Sequence, residues 1–443
     1  MKTIKASLFL AFLIVFATVR PAFSAPNPDT EDTRYFIQNT RTFWKGTLGV
    51  RHMFEDGFTT DLSDWQLKLT KLAGLKVYPV RKLNILLPSP VPSLLGNGEL
   101  IGPVMKTSEP TPLSTPTLGG RSSDQSVGTD EGGLFDTLSN KIRRLISARP
   151  VPSSQVSWGM HMIYNNPILT KTSGGLGIKV AVLDTGVQRD HPDLQNRIGG
   201  CKDFTQAKSP VVQNSCDDGN GHGTHVAGII AADGGSDHLG VYGVAPDATL
   251  LIYKVCSNNG SCWSDDIASA IREATDDGAQ VMNFSFGTDA PSSLVLDAVN
   301  YADSKGALIV AAAGNDGPYA QSVDYPAALA DVIAVGAVDS GRNVPDWSSR
   351  GANASTVPGL IETGDLEFVA PGVNVESTWK DGGYVILSGT SMASPHVAGL
   401  AAKLWDNTLD QPAQAVRKLL HSMASDIAPI GEDEASGFGI PSL

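Results

Sequence analysis

The stretch GTSMASPHVAGL, residues 389–400, sets Ser391 among small residues at what reads as the start of a helix. Free backbone N–H groups stand beside a hydroxyl at such a place, and they can hold a developing oxyanion. Pro395 is expected within the first turn or so, where its missing N–H does least harm. A hydroxyl is a poor nucleophile until a base takes its proton. VAVLDTGV puts Asp184 directly after an apolar run, and DGNGHGTHVAG puts His222 in a glycine-rich entry to a small-residue helix. An imidazole titrating at about 6.5 suits the task of base. A buried carboxylate holds it in the right tautomer and stabilises the imidazolium. IVAAAGNDG sets Asn315 just past another apolar run, where its amide can donate to the oxyanion together with the Ser391 N–H. Singly, each stretch has a plainer reading: small-residue packing, a strand-end acceptor, a structural histidine, a turn. Jointly they point to acyl transfer by serine.

Other chemistries fit less well. His225 follows His222 at i+3, so the pattern lacks both the spacing and the glutamate of a zinc-hydrolase helix. An esterase would show G-x-S-x-G, whereas Ser391 lies in Gly389-Thr-Ser-Met-Ala393. The DTGV turn does not supply the G-x-G-x-x-G of a dinucleotide-binding fold. A secreted binding protein with a dead site would lack one of Asp184, His222 and Ser391, and all three are present. Cys201, Cys216, Cys256 and Cys262 allow three pairings, of which locality favours Cys201–Cys216 and Cys256–Cys262. A zinc site would want a paired C-x-x-C, which these spacings lack.

The elements that must position these side chains alternate along the chain. IKVAVLD (178–184), TLLIYKV (249–255), AQVMNFSF (279–286), ALIVAAA (307–313) and DVIAVGAV (331–338) are short apolar runs. Helical patterns lie between them, among them SDDIASAIREATDDG with Ser264 as N-cap and SSLVLDAVNYADSKG with Gly306 as stop. Strands alternating with helices imply an α/β fold with a mostly parallel central sheet covered on both faces. Sites in such sheets lie at the carboxyl ends of the strands.

Four segments are expected. Lys2 and Lys5, the apolar run from Ala6 to Val19, and Ala22 and Ser24 before a cut make residues 1–24 a secretory signal. Export to the extracellular space follows, with no later run of about 18 apolar residues to hold the chain in a membrane. Residues 25–100 form a small α+β unit: TRYFIQNTRTFW reads as extended, DLSDWQLKLTKLAG as a helix, and KVYPVRKLNILL as a strand. Residues 101–150, rich in Pro, Ser, Thr and Gly, read as a flexible linker, and the main domain spans 151–443. Charge divides along the same line. Residues 1–148 hold 17 Lys/Arg and 13 Asp/Glu, a net +4, while residues 149–443 hold 16 and 33, a net −17. An acidic main domain argues against nucleic-acid binding. Its aspartates suit solubility or cation binding.

AVLDTGV, GHGTHVAG, AAAGN and GTSMASPHVAG, in that order, resemble the subtilisin-like serine proteases, the subtilases. The Asp, His, Ser order is the one known for subtilisin. CKDFT, ADGGSD, VESTW and the short Cys201–Cys216 interval look most like the sphericase-like bacterial subtilisins. The resemblance runs from about Ser154 to Pro441 and implies a secreted endopeptidase made as a zymogen, with Asp184, His222 and Ser391 as triad and Asn315 as oxyanion donor. It further implies that Ser285, Phe286 and Gly287 pair with the substrate backbone, opposite Gly260 and Ser261. Ala313 and Gly314 then line the pocket for the side chain before the cut bond. Such β-augmentation binds many polypeptide substrates. Phe286 stands where leucine is usual, and the loop DGPYAQSVDYP after Asn315 departs from the family's pattern at the pocket floor. Structural calcium is implied, with Asp193 of HPDL matching a ligand; the accompanying loop, DGGSDHLG, is longer than in ordinary subtilisins, so its ligands do not carry over, and Asp237 is the candidate within it. Residues 25 to about 148 are implied to be a removable prosegment and intramolecular inhibitor, steered by its positive charge. Its cut is expected between Leu145 and Ser154, and the mature enzyme is expected to be a monomer. A Cys256–Cys262 disulfide would order the substrate edge strand before binding.

Overall fold

A computed structural model describes residues 33–86, 150–207, 209–353, 360–427 and 429–443. The signal segment and the expected linker, apart from residue 150, lie outside the described residues, as does part of the expected processing region.

Strand β1 (Arg34–Gln38), helix α1 (Thr42–Leu48), strand β2 (Phe58–Asp61), helix α2 (Asp64–Leu72) and strand β3 (Lys76–Pro79) form a small α+β unit. Its antiparallel sheet runs β2-β1-β3. Ile37, Trp44, Leu48, Phe58 and Leu62 fill its small core. The expected extended run ends early, because Thr42 already begins a helix that turns Trp44 and Leu48 inward. Helix α2 starts with a capping box between Ser63 and Gln66, which satisfies two orphan donors. KVYPVRKLNILL is two strands, not one. Its first half completes the small sheet, and β4 (Lys82–Ile85) leaves to pair with distant partners.

In the main domain, strands β5 (Lys179–Asp184), β6 (Ile198–Asp203), β7 (Val212–Gln213) and β8 (Thr249–Lys254) precede β9 (Ser261–Trp263), β10 (Val281–Phe284) and β11 (Phe286–Gly287). Next come β12 (Leu308–Ala312), β13 (Val332–Val338) and β14 (Phe368–Pro371). Eight of them make one sheet in the order β14-β13-β12-β10-β5-β8-β6-β7, parallel except at the β6–β7 edge. All five apolar runs read from the sequence lie in it. Both faces are covered: Val180 and Val182 of β5 join one apolar cluster, Ala181 and Leu183 the other. Helices α3 (Trp158–Ile163), α4 (His222–Ala231), α5 (Ser264–Asp276), α6 (Ser293–Ser304), α7 (Thr390–Leu404) and α8 (Pro412–Met423) complete the α/β architecture. Ser264 is the first helical residue of α5 and not its N-cap; that position belongs to Trp263. Among the described residues, no helix is long and apolar enough to cross a membrane.

Candidate active site

β5 is a central strand and ends at Asp184, so its carboxylate emerges at the carboxyl edge of the sheet. α4 begins directly against that edge. A Cβ on Gly223 would meet the Gly186 carbonyl at 2.2 Å and Asp184 Oδ1 at 3.1 Å, so only glycine permits the approach. His222 Nδ1 thereby lies 2.8 Å from Asp184 Oδ1, with both side chains fully buried. A carboxylate on Nδ1 puts the ring hydrogen there and leaves a lone pair on Nε2 able to accept a proton. His222 Nε2 is buried without a partner. Asp218 holds this turn, accepting from Gly221 N at 2.7 Å, Thr224 N at 2.9 Å and Thr185 Oγ1 at 2.9 Å. It was not singled out from the sequence, although an aspartate before a glycine-rich helix entry is a capping signal. His225 is structural: its Nε2 lies 3.1 and 3.0 Å from the Val375 and Val385 carbonyls, and burial pushes it down to about 3.

Ser391 is the second residue of α7, so its N–H has no acceptor within the helix. Asn315 Oδ1 accepts from Thr390 N and Thr390 Oγ1, both at 3.1 Å. That fixes the amide and leaves Nδ2 as a buried donor with no partner. Pro395 is the sixth helical residue, beyond the first turn where it was expected. It cannot donate to the Ser391 carbonyl four residues back. Ser285 Oγ donates there instead, at 3.1 Å. Ser391 Oγ shares its hydrogen between the carbonyls of Leu86 at 2.7 Å and Ser285 at 3.1 Å, and makes no hydrogen bond to His222.

The stretch that reaches Ser391 is the chain's own N-terminal unit. β4 lies between β9 and β11 as the middle of a three-stranded antiparallel sheet. Ile85 N donates to Gly260 O at 3.0 Å and Leu86 N to Ser285 O at 3.2 Å. Asn84 stands opposite Ser261 on one side and Gly287 on the other, and Ile85 opposite Phe286. Every substrate-strand residue named from the sequence thus flanks residues 84–86. Leu83 is buried in the apolar cluster that holds Phe286 and Cys262. Cys256–Cys262 and Cys201–Cys216 are both disulfides. The first closes a short loop at β9 and braces that edge. Ala313 and Gly314 follow β12 directly, and Gly314 takes a left-handed φ of 114°.

Asp193 lies elsewhere, under the 233–241 loop. Its Oδ2 accepts from Val241 N at 2.8 Å and Tyr384 OH at 2.9 Å, while Oδ1 is buried with no partner. A Cβ on Gly235 would meet Asp193 Oδ1 at 3.0 Å and Asp237 Oδ1 at 3.2 Å, so both carboxylates face one loop turn. A buried, unpaired carboxylate oxygen beside a second acid fits a hard cation.

A profile of the Subtilase family matches residues 175–439. A subtilisin from Bacillus sp. (strain TA39) is 49% identical, over 69% of this chain and 76% of that protein. The chain belongs to the subtilase family. M-protease of Shouchella clausii (strain KSM-K16) is 44% identical, over 56% of this chain and 60% of its own length. Among solved structures, Sphericase superimposes with a TM-score of 0.63 at 51% identity, covering 66% of this chain and 99% of its own. As a subtilase the protein is a serine endopeptidase acting on polypeptides.

Proposed function

We propose that this subtilase is exported as a zymogen and that the Asp184–His222 pair activates Ser391. His222 Nε2 takes the Ser391 proton as the hydroxyl rotates from the Leu86 oxygen toward the carbonyl carbon. Asn315 Nδ2 and the Ser391 N–H receive the oxyanion, the acyl-enzyme forms, and His222 returns the proton to the leaving amine. Ser285, Phe286, Gly287, Gly260 and Ser261 supply the two strands between which a substrate lies. Binding that rests on backbone pairing accommodates many sequences. The observation that carries this reading is the Leu86 carbonyl against Ser391, delivered by a strand paired on both sides.

The same observation supports inhibition by residues 33–86, which occupy the cleft a substrate needs. It also favours a first cut at Leu86–Leu87, well before the expected cut between Leu145 and Ser154. That later region then marks a second trimming step. Calcium would be held by Asp193 Oδ1 with Asp237, neutralising the unpaired buried charge and stiffening the 233–241 loop. The test is labelling with a fluorophosphonate followed by peptide mapping. The label is expected on Ser391, and on no residue in His222→Ala.

A further inference from the structure

The pocket beneath the residue before the cut bond has a floor that the family resemblance did not supply. On the reading above, its walls are the backbones of Ser285–Gly287, ending in β11, and of Ala313–Asn315, following β12. Asp324 is fastened to the second wall through its N–H, which donates to the Ala313 carbonyl at 2.8 Å. The next residue, Tyr325, pairs antiparallel with Thr288, at the end of the first wall. The side chain therefore lies between the two. A Cβ on Gly287 would fall 2.7 Å from Asp324 Oδ2, and one on Gly314 would fall 2.9 Å from the same atom. Asp324 is 3% exposed, and among the described residues no hydrogen bond or ion pair engages its carboxylate. Two exposed acids, Asp289 and Asp316, bring carboxylate oxygens to within 4.8 Å of it and of each other. Among the described residues no lysine or arginine forms an ion pair with any of the three.

We propose that Asp324, with Asp289 and Asp316 beside it, makes this pocket select a cationic side chain, so that the enzyme cuts after lysine or arginine in preference to neutral residues. This rests on the reading of Ser391 as nucleophile and of Leu86 as the residue before the cut bond. A lysine or arginine at that position carries its charge several bonds from its Cα, toward the floor. There it replaces the water that an ionised Asp324 has lost with a charge-assisted hydrogen bond. Leu86 offers nothing of the kind. With Leu86 buried in place, burial together with Asp316 and Asp289 pushes the Asp324 carboxyl up to about 7. The prosegment is held instead by its strand pairing and by Leu83.

The test is kcat/KM of the mature enzyme at pH 8.5 on two peptides that differ only in lysine or norleucine before the cut bond. Each is measured with calcium present and again after chelation. The ratio cancels any loss of folded enzyme. Lysine is expected to win at least ten-fold under both conditions, and Asp324→Asn to bring the ratio close to one. A wild-type ratio of one or less overturns the proposal without reference to any variant, and so does a ratio that Asp324→Asn leaves unchanged. A lysine preference seen only after chelation assigns the three carboxylates to a divalent ion and overturns it as well. Failure to cut either peptide would indict the protease reading itself, whereas equal cutting of both indicts this inference alone.

Discussion

The Ser285 and Thr390 hydroxyls and the Pro395 ring form no bond to Ser391 Oγ or Asn315 Nδ2, yet they decide where those groups lie. Pro395 withholds a helical N–H, Ser285 replaces it at the Ser391 carbonyl, and Thr390 turns the Asn315 amide so that its N–H₂ end is free. Asn315→Leu is expected to lower kcat by about 10²–10³ with little change in KM, the loss known for a subtilisin oxyanion-hole asparagine. Steady-state kinetics on one peptide substrate checks it, and an equal rise in KM would place Asn315 in ground-state binding instead. Asp184 and Asn315 stood out in the sequence at the ends of apolar runs, and His222 and Ser391 in a glycine-rich and a small-residue helix entry, which is why these four could be put forward together. Pro395 was read one turn too early, since helix phase cannot be fixed to a residue from small-residue composition. Asp324 escaped because its loop departs from the family's pattern, so no motif led to it.

Element by element, apolar runs buried on both faces announce themselves, and the five central strands fell where those runs fall. KVYPVRKLNILL did not reveal its break, because β4 leaves the small sheet only to meet β9 and β11, which lie about 180 to 200 residues further on. The first turn of α5 shapes the same contact. Arg34 Nη1 lies 2.8 Å from Asp265 and 2.9 Å from Asp266, His52 Nε2 lies 2.8 Å from Asp266, and Arg34 stacks 4.4 Å over the Trp263 ring. The charge asymmetry seen in the sequence is thus realised in a buried cluster. Removing one partner of a buried pair costs about 3–5 kcal/mol, because it strands the other charge. Arg34→Met in the Ser391→Ala precursor should therefore make residues 33–86 far easier to remove by protease than in the parent. Burial alone would raise the Asp265 carboxyl, but Arg34 beside it holds it below the usual range. Its contribution is full above the free value, about 3.9, and is lost as pH falls through the lowered one. Hydrogen exchange across 33–86 should accelerate below about pH 4.

At the scale of the whole molecule, the buried acids Glu367 and Asp193 bear on stability. Glu367 is fully buried; burial would raise it, but Arg417 at 2.7 Å and His421 at 2.7 Å hold it below the usual range. They tie α8 to the edge strand β14. Glu367→Gln takes the buried carboxylate away from Arg417 and should cost about 3–5 kcal/mol in denaturant unfolding. Its stabilisation is present above about pH 4.3 and is lost as pH falls further. Asp193 bears on stability through the calcium proposed for it. If its orphan oxygen holds calcium, saturation at a hundred times Kd adds about 2.7 kcal/mol, and chelation removes it. Asp193→Asn should abolish the calcium dependence of Tm, whereas retained dependence would move the site elsewhere. The proposed chemistry turns on Ser391 attacking the Leu86 carbonyl that already rests against it. The most direct measurement is intact mass of the refolded precursor over time, wild type beside Ser391→Ala. Wild type should release a fragment ending at Leu86, with a new N-terminus at Leu87, while Ser391→Ala stays whole. A first fragment ending elsewhere, or the same fragment from Ser391→Ala, would contradict it.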